Sequence, residues 1–212
     1  DGPCFSFSVS YQNHGPYEWQ YTIEEEYLTP EATGFSASTC NIWNNYLMRV
    51  SDTLSAITDL VSGLEEMEEP VVLVLFGDHK PWGGNGNTGY TELGCTFDLT
   101  TTQGFYDYYA TPYLIWANSA AKEVLGSDFV GDGGDSSPCF LMEEVFDQCG
   151  WDGPGFMQLA GEMRELTPLI HEQGIYWKDG APCYELTQEE QEILNLYQNV
   201  EYYREHVVEP QG

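Results

Sequence analysis

Positive charge is what this sequence has least of. Its 212 residues hold 6 Lys and Arg against 35 Asp and Glu, a formal charge of −29. So few cations leave no basic footprint to neutralise phosphates, which excludes nucleic acid as a partner. Also missing are the basic clusters that hold peripheral proteins on anionic lipid. No apolar run approaches the roughly 18–20 residues a spanning helix needs. No signal peptide stands at the start; the chain opens directly on a strand-like segment. Such an opening is the expectation for a piece of a longer protein, so work at a membrane would require another segment to hold it there. Cysteine pairs at metal-binding spacing are lacking too: Cys4, Cys40, Cys95, Cys139, Cys149 and Cys183 are dispersed, without a CxxC. Two readings stay open for them, up to three disulfides in an oxidising setting or buried thiols acting as small apolar side chains. Cys139 and Cys149 fall at opposite ends of one expected helix, too far apart to bridge each other.

Apolar and aromatic residues, by contrast, are plentiful. A hydrophobic share of 42% suffices for one sizeable core and a small appendage, and 15 Tyr, 10 Phe and 6 Trp are too many for a disordered chain. Phe5 to Tyr11 (FSFSVSY) alternate apolar and polar, the pattern of a strand with one buried face. Residues 18–40, with Glu24, Glu25 and Glu26, read as a solvated loop. From Ile42 to about Glu69, apolar residues recur in steps of three and four, which predicts a long helix capped by Ser38 or Thr39 and stopped at Pro70. Val71 to Leu75 is an unbroken apolar run, a strand buried on both faces. Strand, helix and strand make a crossover unit with parallel strands.

Residues 80–105 are rich in Gly, Thr and Asn; they read either as the rim of a site or as a disordered excursion. A strand over 111–116 follows. Helices are expected from Ser137-Pro138 to about Cys149, over 155–166, and from the capping box Thr187-Gln188-Glu189-Glu190 onward. The expected division is residues 1–150 as part of a catalytic domain and 151–212 as a helical extension packed on it.

Chemistry concentrates at two strand ends. Phe76-Gly77-Asp78-His79-Lys80 follows the central strand, and Gly77 permits a sharp exit that delivers a carboxylate and an imidazole side by side. Together they suit a divalent metal, the carboxylate giving a hard oxygen and the imidazole a directional nitrogen. The plainer reading is a buried Asp paired with a neighbouring His on a turn. Gln12-Asn13-His14-Gly15-Pro16-Tyr17 places a second histidine beyond the first strand, beside a Gly-Pro turn. His14 in such a place donates to a phosphoryl oxygen, acts as general acid to a leaving alkoxide, or is simply a satisfied turn residue. Asn13 and Tyr17 are its candidate orienting neighbours. Lys80, in a chain so poor in cations, is placed to meet a phosphate. His171 and His206 sit without a partner motif, and Asp52 reads as solvated or as a helix-to-loop tether.

The order of QNHGPY, a long amphipathic helix, FGDHKP and then TPYLIWAN (Thr111 to Asn118) resembles the C-terminal half of the lipoteichoic acid synthase (phosphoglycerol transferase) family, within the alkaline phosphatase/sulfatase superfamily. The likeness covers about the first 150 residues. It implies the C-terminal portion of a three-layer α/β/α sandwich. It further implies a divalent metal, commonly Mn2+ with Mg2+ or Zn2+ as alternatives, held by Asp78, His79, a Glu and a nucleophilic Thr, the last two from a preceding half not in this sequence. His14 falls in the implied substrate pocket, with Asn13 as its neighbour and Lys80 added on its adjacency to the Asp-His pair.

The implied reaction moves glycerol phosphate from a phosphatidylglycerol-type lipid to a glycerol-phosphate polymer. It would occur at the extracellular face of the cytoplasmic membrane, to which preceding helices tether the enzyme, or after release to the cell surface. Related phosphoethanolamine transferases place another His soon after the Asp-His pair; here the next is His171, which favours a single-metal site. Two rivals remain: a sulfatase-like phosphoester or sulfate-ester hydrolase on the same fold, and a non-catalytic binding domain that kept the fold without the chemistry.

Overall fold

A computed structural model of the chain describes residues 2–23 and 26–208; Glu24 and Glu25 of the acidic loop lie outside them. The class is mixed α/β, about 48% helical with small sheets and a C-terminal helix. Backbone contacts divide the chain into two compact units. One comprises Asp1–Met67, Phe76–Asp98 and Gln103–Pro112; the other comprises Glu68–Leu75, Leu99–Thr102 and Tyr113–Gly212.

A single long helix organises the first unit. After the one-turn α1 (Pro30–Thr33), helix α2 (Ala37–Glu65) starts at a cap the apolar pattern does not reveal. Ser36, not Ser38 or Thr39, accepts the Thr39 N–H, at 3.3 Å. Ser36 is itself clamped: its N–H and hydroxyl donate to the two carboxylate oxygens of Glu92 at 2.7 and 2.8 Å. Glu92 ends α3 (Thr88–Glu92), so two helix termini are tied through one side chain. At its other end α2 stops at Glu65, short of Glu69, where further anions would oppose the negative end of the helix dipole. Ile42 and Trp43 of α2 pack with Tyr17 and Tyr90 in the buried centre of this unit. The glycine-rich stretch after Lys80 is not structureless. It holds α3 and α4 (Thr102–Tyr109), and the Tyr90 hydroxyl donates to the Pro81 carbonyl at 2.6 Å.

One expected strand is absent. Phe5 to Tyr11 form none, and Phe5, Phe7, Val9 and Tyr11 are 73, 65, 78 and 76% exposed. Alternation encodes a strand only when a neighbour completes the hydrogen-bond ladder, and no strand pairs with this segment among the described residues.

The second unit begins with β1 (Val72–Phe76), paired with β2 (Tyr113–Ala117). Asn118, wholly buried, closes this pair. Its side-chain oxygen accepts the N–H groups of Val71 (3.0 Å) and Ala121 (2.9 Å), and its amide donates to the Glu69 carbonyl at 2.9 Å. One residue thereby ends a strand, starts its neighbour and caps α5 (Ser119–Leu125). Helix α7 (Gly155–Leu166) falls where expected, whereas α6 (Leu141–Gln148) begins only after a 3-10 turn over Pro138–Phe140, because the Ser137 hydroxyl accepts the Ile170 N–H and donates to the Ile170 carbonyl instead of capping.

Between α7 and the last helix lies a small antiparallel sheet of β3 (Ile170–His171), β4 (Ile175–Lys178) and β5 (Ala181–Cys183) that the helical reading of this end omits. Its signal was Asp179-Gly180, whose φ angles of 54 and 76° make the two-residue turn that matches strand twist. Buried Thr167 accepts the Trp177 N–H at 2.8 Å and anchors this sheet to α7. Helix α8 (Gln188–His206) closes the core of Phe140, Ala160, Met163, Leu194 and Tyr197. The six cysteines carry no bridges.

The capping box at Thr187 yields a prediction. Thr187 accepts the Glu190 N–H, and the Glu190 carboxylate accepts the Thr187 N–H at 2.8 Å and the Lys178 ammonium at 2.5 Å. The Lys178 hydrogen bond, then that of the Thr187 backbone, hold the Glu190 carboxyl below the ordinary glutamate range. Thr187→Ala is expected to cost about 1 kcal/mol, seen as a midpoint lowered by roughly 2–4 °C in thermal unfolding. A depressed carboxyl stabilises the fold above its unfolded pKa, and that contribution is lost as pH falls through the folded one. Glu190→Gln should therefore lower the midpoint at neutral pH and converge with the parent below the glutamate range. A constant difference down to the acid limb would refute the assignment.

Candidate metal and phosphate site

The candidate site residues Asn13, His14, Tyr17, Asp78, His79 and Lys80 lie in the first unit, His171 and His206 in the second, and a face of α2 positions the first three. Asn41, Asn45, Arg49 and Thr53 recur every four residues, which on a helix puts them in one row. Each reaches the backbone or side chains of the segment from Asn13 to Trp19. Asn41 donates to the Trp19 carbonyl (3.2 Å), Asn45 to the Glu18 carbonyl (3.1 Å), Arg49 to the His14 carbonyl (3.0 Å), and Thr53 to the Asn13 side-chain oxygen (2.9 Å). Gln12 reaches Asp52 at 3.4 Å, a helix-to-loop tether. The Arg49 guanidinium also lies 5.4 Å from the centre of the Tyr17 ring. Tyr17 is buried, its hydroxyl donates to the Asn13 carbonyl, and burial pushes that hydroxyl up to about 12. Tyr17 therefore keeps its proton at neutral pH and serves as a hydrogen-bond donor to the loop. Gly15 is required here because a Cβ would stand 2.8 Å from Cβ of Trp82.

The second element is the exit from β1. Thr111 donates to the Gly77 carbonyl at 2.7 Å and fixes the turn. Asp78 Oδ1 accepts the His79 N–H at 2.9 Å, and the other carboxylate oxygen faces His79 Nε2 at 3.7 Å. His79 Nδ1 lies 2.8 Å from the Lys80 carbonyl, and His14 Nδ1 lies 2.6 Å from the Gly15 carbonyl. A carbonyl only accepts, so both Nδ1 atoms carry the proton and both Nε2 atoms present a lone pair in the neutral ring. The two imidazoles meet edge to face with centres 6.0 Å apart, and Tyr11 stacks on His14 at 4.8 Å.

Asp78, His79 and His14 are thus brought together. Asn13 is adjacent, but its side chain is committed to Thr53. Lys80 is half-buried beside the pair and makes no ion pair among the described residues. As a metal site, the pair fits in donor chemistry: a carboxylate oxygen and an imidazole nitrogen converge, and the imidazole is oriented by a carbonyl in the manner of metal-bound histidines. The pair is also insufficient alone, since no group of three His, Cys, Asp or Glu is placed to hold an ion among the described residues. The apolar stripe of the helix gives no sign of Arg49 and Thr53; the polar row at four-residue spacing is the signal in the sequence that does.

Removing Arg49 tests this positioning. In Arg49→Ala the helix is expected to persist by circular dichroism while the His14 ring resonances move toward their unstructured values. Unchanged His14 resonances would mean that the loop holds itself.

The chain is 27% identical over 190 residues to a Rhizobium meliloti (strain 1021) protein described as "Putative cyclic beta-1,2-glucan modification protein". The alignment covers 85% of this chain and 27% of that protein, so the chain spans about a quarter of the relative's length. No family profile and no solved structure matches it.

Proposed function

We propose that this chain is the C-terminal part of a metal-dependent phosphoglycerol transferase of the alkaline phosphatase/sulfatase type, its short β1–β2 sheet being one portion of a three-layer α/β/α sandwich. The donor is a phosphatidylglycerol-type lipid, and the acceptor is a hydroxyl of a cell-envelope glucan at the outer face of the cytoplasmic membrane. One observation carries the reading: the His14 ring lies 6.0 Å from that of His79, whose Nε2 faces the Asp78 carboxylate, and both rings are oriented through Nδ1 by backbone carbonyls. The acceptor class comes from the printed name of the glucan-modification relative, and the phosphoglycerol from the resemblance of the motifs. Two displacements would make the transfer: the implied Thr oxygen bonds to phosphorus as the bond to the lipid alkoxide breaks, that alkoxide taking the Thr proton, and the glucan hydroxyl oxygen then bonds to phosphorus as the Thr–phosphorus bond breaks, its proton returning to Thr.

Asp78 and His79 would hold the metal. When bound, it supplies charge neutralisation at phosphoryl oxygens and lowers the pKa of the nucleophile. His14 Nε2, protonated, donates to a phosphoryl oxygen or to the leaving oxygen. Lys80 adds a positive charge beside the site, and the α2 row holds the His14 backbone still, which preserves the donor's aim.

The intact polypeptide bearing this chain, given phosphatidylglycerol and cyclic β-1,2-glucan, is expected to yield phosphoglycerol-substituted glucan. Asp78→Ala should lose both metal and turnover. His14→Ala should lower turnover on the order of 10²–10⁴-fold with metal content unchanged. The isolated 212-residue chain should be inactive. Turnover by the isolated chain that vanishes in Asp78→Ala would overturn the reading, as would loss of metal in His14→Ala. Release of free glycerol phosphate without glucan product would favour the hydrolase, and tight metal-free binding without any turnover would favour a binding domain.

A further inference from the structure

The second unit contains a cavity that no sequence motif announces. It measures about 220 Å³ and opens between the end of α6 and one face of α7, with Phe146, Trp151, Asp152, Gln158, Glu162 and Glu165 among its lining residues. Trp151 is held on two counts. Gly150, at φ 66°, turns the chain out of α6, and the Gly150 and Trp151 N–H groups donate to the carbonyls of Asp147 (3.0 Å) and Phe146 (2.9 Å). The indole also packs against the Phe146 ring, centres 5.5 Å apart and planes at 83°. Despite these restraints Trp151 is 49% exposed, a preorganised aromatic surface with one side unfilled. Gly161, inside α7, keeps the adjoining wall bare; a Cβ there would stand 3.0 Å from Glu143 Oε1.

The charges around the cavity are unequally matched. Arg164 takes Glu143 at 2.8 Å, Asp147 at 3.4 Å and the buried Glu144. Asp152, Glu162 and Glu165 make no ion pair among the described residues. Their carboxylates accept hydrogen bonds and cannot donate.

We infer that this cavity is a subsite for one neutral pyranose ring of the glucan acceptor, its C–H face stacked on Trp151 and its hydroxyls donating to Asp152, Glu162 and Glu165. The inference rests on the glucan acceptor proposed above. A sugar ring pairs an apolar face with a rim of O–H donors, the complement of an indole bordered by acceptors. The volume lies below the roughly 300–1,000 Å³ of drug-sized sites, which suits one ring. The same carboxylates disfavour a phosphoglycerol-bearing ring, because an anion brought among unpaired carboxylates is repelled. The subsite therefore selects unmodified glucan and rejects product.

Calorimetric titration of the 212-residue chain with cyclic β-1,2-glucan in low salt tests this without metal or nucleophile. Binding with Kd on the order of 1 mM or tighter is expected. Trp151→Ala should weaken it at least about tenfold, the equivalent of one lost stacking contact, while Trp151→Phe retains most of it. Phosphoglycerol-substituted glucan should bind at least about fivefold more weakly, with the gap narrowing as salt rises. Near-UV circular dichroism checks that each variant is folded. No glucan binding, equal affinity in folded Trp151→Ala, or tetramethylammonium bound tighter than glucan in the same cavity would each overturn the subsite. Turnover by the intact enzyme is read separately, so failure of glucan binding with turnover preserved removes the subsite alone, and binding without turnover removes the transfer reading alone.

Discussion

The hydrogen-bonded row on α2 is the constraint on which the candidate site depends. A loop of the kind that carries His14 has no ladder of its own to satisfy its backbone, and unpaired carbonyls in a packed setting are costly. Here the carbonyls of His14, Glu18 and Trp19 are each answered by a side chain four residues along the same helix. Because these bonds come from side chains spaced along one 29-residue helix, the loop takes its path from the helix. The same helix turns a second face to Tyr17 and Tyr90 through Ile42 and Trp43. Core formation and site placement are consequently one event in this unit. Buried Asn44 extends the pattern: its side-chain oxygen accepts the N–H groups of Tyr27 and Leu28, and its amide returns a bond to the Leu28 carbonyl.

Scarcity of cations sharpens the meaning of each one. Arg49 serves the His14 loop, Arg164 gathers three carboxylates of α6, Lys178 meets Glu190, and Arg204 lies 4.1 Å from the centre of the Phe156 ring. Lys122 sits in the last turn of α5, where a positive charge meets the negative end of the helix dipole. Lys80 makes no ion pair among the described residues, its charge acting at longer range on Asp107 and Cys95, and it follows Asp78 and His79 in sequence. In a chain of net charge −29, an anionic phosphate would be repelled over most of the surface. A local cation and a metal at one place are what would let it approach.

Much of the architecture was legible where a local rule suffices. Helices α7 and α8 follow from a three-four periodicity and a capping box, and β1 from an unbroken apolar run, although it is half-buried and not buried on both faces. Legibility failed where a partner decides the outcome. Phe5 to Tyr11 carries a strand pattern, yet the pattern specifies only which faces differ and cannot supply the neighbouring strand. Ser36 outcompeted Ser38 and Thr39 as the α2 cap because Glu92, 56 residues away, anchors it. The small β3–β5 sheet was signalled by Asp179-Gly180, but its strands are only two to four residues long, too short for alternation to register. At the site, the identities of His14, Asp78 and His79 were readable as motifs; their mutual approach was not, since it depends on Arg49, Thr53 and Thr111.

The plainer reading of the Asp-His dipeptide is a pair that satisfies itself out of contact with water. Such a pair would be buried and directly hydrogen-bonded. Instead the side chains of Asp78 and His79 are 76 and 61% exposed, and the 3.7 Å between Oδ2 and Nε2 exceeds hydrogen-bond length. Asp78 spends one oxygen on a backbone N–H, and His79 spends Nδ1 on a backbone carbonyl. Each side chain is oriented by the main chain through one atom, and the other carboxylate oxygen and Nε2 stand 3.7 Å apart. His14 repeats the device with its own neighbouring carbonyl. Three donors aimed by backbone bonds keep their direction at little entropic cost to the side chains. Among the described residues no third ligand joins the pair, and what the pair itself offers, one hard oxygen and one imidazole nitrogen, is of the type a divalent metal takes.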